Sequence, residues 1–144
     1  MAAKKDYIYT AGLFDGEGSI CYPIAWRKHY CYRRVNLSIV NTNQEVIDWL
    51  HNTFGGTKAK YDPKGNRKVK FSWVLTDKEK ILAFLLAIKP YSIVKKKHLV
   101  TTIRFISALL KRRPSRSPKK LDSTELLIRE DYHQEISALN HRGR

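Results

Sequence analysis

The sequence predicts an α+β fold in which a four-stranded antiparallel sheet carries helices on one face. Three observations predict it. Two pairs of segments alternate apolar and polar residues with period two: Ile20–Lys28 with Tyr32–Asn41, and Thr57–Asp62 with Arg67–Thr76. Each pair is followed by a Thr-x-x-Glu signature of a helix start, Thr42 with Glu45 and Thr76 with Glu79. An apolar content of 42% in 144 residues is enough for one packed core.

The elements follow in order. Tyr7–Gly16 reads as a short helix with Gly12 and Gly16 inside it. Each such glycine costs about 1 kcal/mol, so both imply the close approach of another backbone. In the first strand pair Ile20, Tyr22, Ile24 and Trp26 are expected on the buried face, as are Val35, Leu37 and Ile39. The helix opened at Thr42 runs to about Phe54 and stops at Gly55-Gly56. The second strand pair turns at Asp62-Pro63-Lys64-Gly65-Asn66 and places Val69, Phe71, Trp73 and Leu75 inward. A helix from Thr76 to Lys89 is stopped by Pro90. Ser92–Arg112 carries Leu99, Ile103, Ile106 and Leu110 on one helical face. Lys111–Lys120, rich in cations, proline and serine, reads as a linker, and Asp122–Asn140 as a last helix.

Charge narrows the partner. There are 28 Lys and Arg against 13 Asp and Glu, a formal net charge of +15. The excess lies before residue 121, and the remainder is acidic on balance. Such a chain suits a polyanion, most simply nucleic acid. Arg27, Arg34, Asn36, Ser38, Lys58, Lys60, Lys68 and Lys70 are expected on the outer sheet face, a surface able to enter a DNA groove. The longest purely apolar run, Ile81–Ile88, is far short of the roughly 20 residues of a membrane span. With no secretory signal read at the start and two cysteines, Cys21 and Cys31, the expectation is an intracellular protein with reduced thiols, in cytoplasm or organelle. The five histidines show no metal-ligand spacing.

The segment that carries chemistry is Ala11-Gly12-Leu13-Phe14-Asp15-Gly16-Glu17-Gly18-Ser19. Before Gln44 the chain has only three acids, Asp6, Asp15 and Glu17. Carboxylates at a helix C-terminus meet the unfavourable end of its dipole, and within a polyanion-binding surface they repel the ligand. Both costs vanish if they hold a divalent cation against phosphate, and magnesium, content with few carboxylates plus water and phosphate oxygens, fits.

This segment resembles the LAGLIDADG motif of homing endonucleases, with Thr10, Phe14, Gly16 and Glu17 where the consensus has Leu, Ile, Ala and Asp. The αββαββα order extends the resemblance over about residues 7–112. It implies an endonuclease domain at 1–112, a basic linker at 113–121 and a helical tail at 122–144. A single motif implies the homodimeric branch, with Ala11, Gly12, Asp15 and Gly16 at the interface and the two Glu17 residues meeting at the axis. The implied reaction is Mg²⁺-dependent hydrolysis of one phosphodiester in each strand of a long, near-palindromic double-stranded DNA target. Glu17 and the Gly16 carbonyl are the implied metal ligands. Asn43 and Lys95 are the implied polar and basic partners in catalysis, Asn43 being equally readable as a helix-start residue.

Two other classes stay open: a LAGLIDADG-like RNA maturase or repressor that does not cut, and a generic basic RNA-binding protein.

Overall fold

The computed structural model describes residues 2–29, 31–112 and 123–142; the expected linker at 113–121 lies outside them. Helix α1 spans Lys4–Glu17, one turn earlier than periodicity suggests. The Asp6 carboxylate starts it, accepting the Ala3 amide at 2.8 Å. Strands β1 (Gly18–Cys21), β2 (Ile24–Trp26), β3 (Cys31–Arg33) and β4 (Asn36–Asn41) follow, then helix α2 (Gln44–Phe54). Strands β5 (Thr57–Tyr61) and β6 (Lys70–Leu75) precede helix α3 (Lys78–Ile88), a 3₁₀ turn at Lys89–Tyr91, helix α4 (Lys96–Arg112) and helix α5 (Ser123–Arg142).

The sheet is four-stranded in the order β1-β4-β6-β5, all neighbours antiparallel, as the sequence predicts. The first strand pair, expected to be continuous, breaks into β1–β4 and a separate ribbon, β2–β3. Pro23 is the reason: it has no amide to donate. Its carbonyl instead accepts the Arg34 amide at 2.9 Å, joining the two ladders. The alternation changes phase there, so Ala25 is buried while Ile24 and Trp26, expected inside, are exposed.

The helix starts also move by one residue. Asn43, not Thr42, caps α2 by accepting the Val46 amide, and Asp77, not Thr76, caps α3 through the Glu79 and Lys80 amides. A carboxamide or carboxylate at the next position meets the free amides in place of the threonine hydroxyl.

The core lies between the sheet and the helices. Trp73, Phe14, Leu37, Ile39, Leu50, Ile81, Leu85 and Leu99 are fully buried. Phe84 gathers the aromatic side chains, its ring centroid 5.1 Å from Phe54, 5.4 Å from Trp73 and 6.0 Å from Phe14. The Trp73 indole N–H donates to the Gly55 carbonyl at 2.7 Å, so this large ring is buried with its polar atom satisfied. Gly56, at φ 88°, lets the chain leave α2: a Cβ there would sit 2.7 Å from the Val74 carbonyl oxygen.

Helix α5 packs against α4 and β3. Tyr132 stacks on Phe105 at 4.0 Å and shares a buried hydrogen bond with Thr102. Arg129 and Glu125, both buried, pair at 3.1 Å. The same guanidinium donates to the Arg33 carbonyl at 2.6 Å and lies over the Tyr32 ring, tying α5 to the ribbon.

Candidate active site and nucleic-acid face

The site forms where α1 ends. Glu17 is its last residue and lies exposed, its Oε2 accepting the Asn41 amide group at 2.5 Å. Asn41 closes β4, and its Oδ1 accepts the Asn43 main-chain N–H at 2.8 Å. A short chain of hydrogen bonds therefore runs from the start of α2 through Asn41 to Glu17, fixing the carboxylate at the end of β4. Asn41 was not among the residues expected at the site. Its link to Glu17 spans 24 positions and leaves no local sequence signal.

Asp15 is turned the other way. Its Oδ1 accepts from the Ser92 hydroxyl (2.6 Å) and the Lys95 amide (3.2 Å), and its Oδ2 from the amides of Ile93 (2.7 Å) and Val94 (3.1 Å). Partial burial alone would raise its pKa, but the hydrogen bonds from Ser92, Ile93, Lys95 and Val94 outweigh this and hold the carboxyl below its ordinary value. This carboxylate is committed to the turn ahead of α4. The same turn brings Lys95 back to α1: its ammonium donates to the Asp15 carbonyl at 2.8 Å, at the negative end of the helix dipole. Lys95 is half-buried, whereas Lys96 and Lys97 are exposed.

The structure thus brings Glu17, Gly16 and Lys95 together at the end of α1. It places Asn43 one residue beyond the hydrogen-bond chain, its own side chain engaged in capping α2. Of the four residues expected at a dimer interface, Gly12 and Gly16 are exposed, and a Cβ on either would meet nothing within 4 Å. Ala11 corrects the expectation, because it is fully buried in the core of its own chain. Asp15 is partly exposed, and its carboxylate serves its own 92–95 turn. Gly18 is the tightest glycine of the motif: a Cβ there would lie 2.2 Å from the Phe14 ring.

The outer sheet face also differs from expectation, and register is the cause. Lys58 pairs with Trp73 and Lys60 with Phe71. Residues directly opposite share a face, so both lysines point toward the helices, and Lys58 reaches Asp48 of α2 at 2.9 Å. Arg27 sits on the Tyr32 side of the ribbon, its guanidinium donating to the Tyr32 hydroxyl at 2.9 Å. Lys68 precedes β6, and Arg34 is exposed between β3 and β4. Asn36, Ser38 and Lys70 keep their expected outward places.

As for metal, Glu17 is one exposed carboxylate beside the backbone of Gly16, and no cluster of three or more metal-binding acids, histidines or cysteines exists among the described residues. One carboxylate with neighbouring carbonyls, completed by water and phosphate oxygens, is a donor set that magnesium accepts.

No protein-family model matches the chain, and no curated protein matches it. Solved structures do. The homing endonuclease I-CvuI, in complex with a DNA target in the presence of magnesium and uncleaved, aligns over 93% of this chain and 96% of its own at 13% identity and a TM-score of 0.60. The archaeal intron-encoded homing endonuclease I-Vdi141I, complexed with DNA, aligns over 90% and 98% at 18% identity and a TM-score of 0.61. The LAGLIDADG homing endonuclease I-SmaMI, bound to cleaved DNA, aligns over 93% of this chain but 42% of its own, at 15% identity and a TM-score of 0.65. The fold is therefore that of the LAGLIDADG homing endonucleases. The chain matches I-CvuI and I-Vdi141I over nearly their whole length, and I-SmaMI over less than half.

Proposed function

We propose that the chain is a site-specific homing endonuclease that acts as a homodimer and makes a double-strand break in a long, near-palindromic DNA target by magnesium-dependent phosphodiester hydrolysis. The observation that carries this reading is the end of α1, whose last three residues bear both an exposed carboxylate, Glu17 held by Asn41, and the Asp15 carbonyl that holds the Lys95 ammonium. A surface that only binds phosphate has no use for the carboxylate.

Bound magnesium would supply positive charge at the scissile phosphate and make a water more acidic. Glu17 and the Gly16 carbonyl are the chain's candidates to hold it. Lys95 stabilises the negative charge that develops on the phosphate, and needs little reorganisation because it is already positioned. Asn41 orients Glu17, and Asn43 supports Asn41 through its main-chain N–H. One chain holds one such carboxylate. Two strands therefore call for two chains, with the open glycine face of α1 as their meeting surface.

The test is direct. Duplexes bound by the protein are selected from a randomised pool, placed in a plasmid, and incubated with magnesium. Linear plasmid with one break in each strand supports the proposal. Tight, sequence-specific binding without cleavage would favour the non-cutting maturase or repressor class.

A further inference from the structure

The outer face of the four-stranded sheet is nearly uncharged. Lys70 is the sole cation among its outward residues, and none of them is an acid. Ser38 lies between Ser19 and Val74, and Ser72 between Val40 and Ala59. The β2–β3 ribbon adds apolar surface and one cation, Arg33, which stands opposite Ile24 and donates to the Tyr22 carbonyl. Its inner face packs on Arg129 of α5 through Tyr32, which leaves Ile24 and Trp26 on the side away from the helices, 41% and 74% exposed. An exposed tryptophan has no folding role that needs this position. The cations stand around the face instead: Lys58 and Lys60 on the edge strand turned helix-ward, Arg67 and Lys68 before β6, Lys28 at the ribbon's end. Apart from Lys70 and Arg33, charge thus stands at the rim and apolar surface in the middle.

We propose that this middle surface reads the C5-methyl groups of thymines in the major groove, through Ile24, Trp26, Val40 and Ala59, while the rim cations hold phosphates. The inference rests on the DNA-binding reading above and specifies its substrate as duplexes with thymines at set positions of each half-site. The major groove is where a two-stranded ribbon fits and where thymine presents its methyl group. Phosphate contacts set affinity but carry no sequence information directly. A face with so few charges gains little from phosphate and gains from burying methyl groups.

The experiment compares the selected duplex with one in which deoxyuridine replaces thymidine throughout a half-site, which removes only the methyl groups. Each methyl buried contributes about a fourfold gain in affinity, so the uridine duplex binds more than tenfold weaker where two or more are contacted. The dependence of binding on salt stays the same, because the phosphate contacts are unchanged. The Trp26→Gln variant, whose exposed position leaves the fold intact by circular dichroism, loses part of the thymidine-over-uridine preference. Equal binding of thymidine and uridine duplexes by a protein that still selects one sequence overturns this inference and leaves the nuclease reading standing. Binding that selects no sequence overturns both.

Discussion

The Lys95 ammonium donates to the main-chain carbonyl of Asp15 at 2.8 Å, while the carboxylate of that same Asp15 accepts the Lys95 amide. The two residues, 80 positions apart, clasp each other through both backbone and side chain. The start of α4 is thereby pinned to the end of α1, and a positive charge is held on the Asp15 carbonyl, two residues before Glu17.

Lys95→Met is expected to lower the cleavage rate about 100-fold, the usual cost of removing one preorganised electrostatic group, with little change in DNA affinity. Lys96→Met and Lys97→Met, whose side chains are exposed, are expected to weaken binding with little effect on the rate of the bound complex. Single-turnover cleavage with a separate binding titration resolves the two.

Asp15→Ala removes the acceptor of four hydrogen bonds from the 92–95 turn, and leaving those donors short of partners costs on the order of 1–3 kcal/mol. The effect depends on pH in a known direction. The Asp15 carboxyl is held below its ordinary value of 3.8 in the folded chain. Its contribution is therefore complete above that value and is lost as pH falls through the lower, folded one. Denaturant melts of parent and variant should differ at pH 7, and the difference should shrink as pH falls below the ordinary carboxyl value of 3.8.

Gly12→Leu is expected to fold normally, because a Cβ at Gly12 meets nothing within 4 Å in its own chain. Leucine also suits a helix interior better than glycine, by about 0.8–1 kcal/mol. If α1 is the meeting surface of two chains, the leucine obstructs it. Equilibrium sedimentation should show a dimer for the parent and a monomer of equal or higher Tm for the variant.

Arg129→Ala breaks the buried Glu125–Arg129 ion pair at 3.1 Å, a loss of about 3–5 kcal/mol for a pair of this kind. The double variant Glu125→Leu, Arg129→Met removes both charges and should recover much of that stability. Chemical denaturation of the three proteins tests this, and it tests whether α5 belongs to the same cooperative unit as the sheet.

Much of this architecture was legible in the sequence, because it rests on local signals. Period-two alternation marked the strands, paired start signals marked α2 and α3 within one residue, and the Ala11–Ser19 segment marked the end of α1, where the candidate site is proposed. What escaped depends on non-local geometry. Lys58-Ala59-Lys60 lies on an edge strand exposed along its length, so alternation alone says nothing about which parity faces the helices. Only the pairing with Trp73 and Phe71 decides it. The phase change at Pro23 needs the Arg34 amide, from the other strand, to be seen. Asn41 gained its place through a contact with Glu17, and the Asp15 carboxylate found its partners in a turn more than seventy residues away.

The most direct test of the central claim is cleavage by Glu17→Gln. The amide keeps the size of the side chain but removes the negative charge that would hold magnesium. With the selected duplex, the variant should bind as tightly as the parent or more tightly, because an anion has left a phosphate-facing surface. It should cut at least about 100-fold more slowly, close to 3 kcal/mol in the barrier. A Glu17→Gln protein that cuts at the parent's rate would contradict the assignment of this carboxylate and the mechanism built on it.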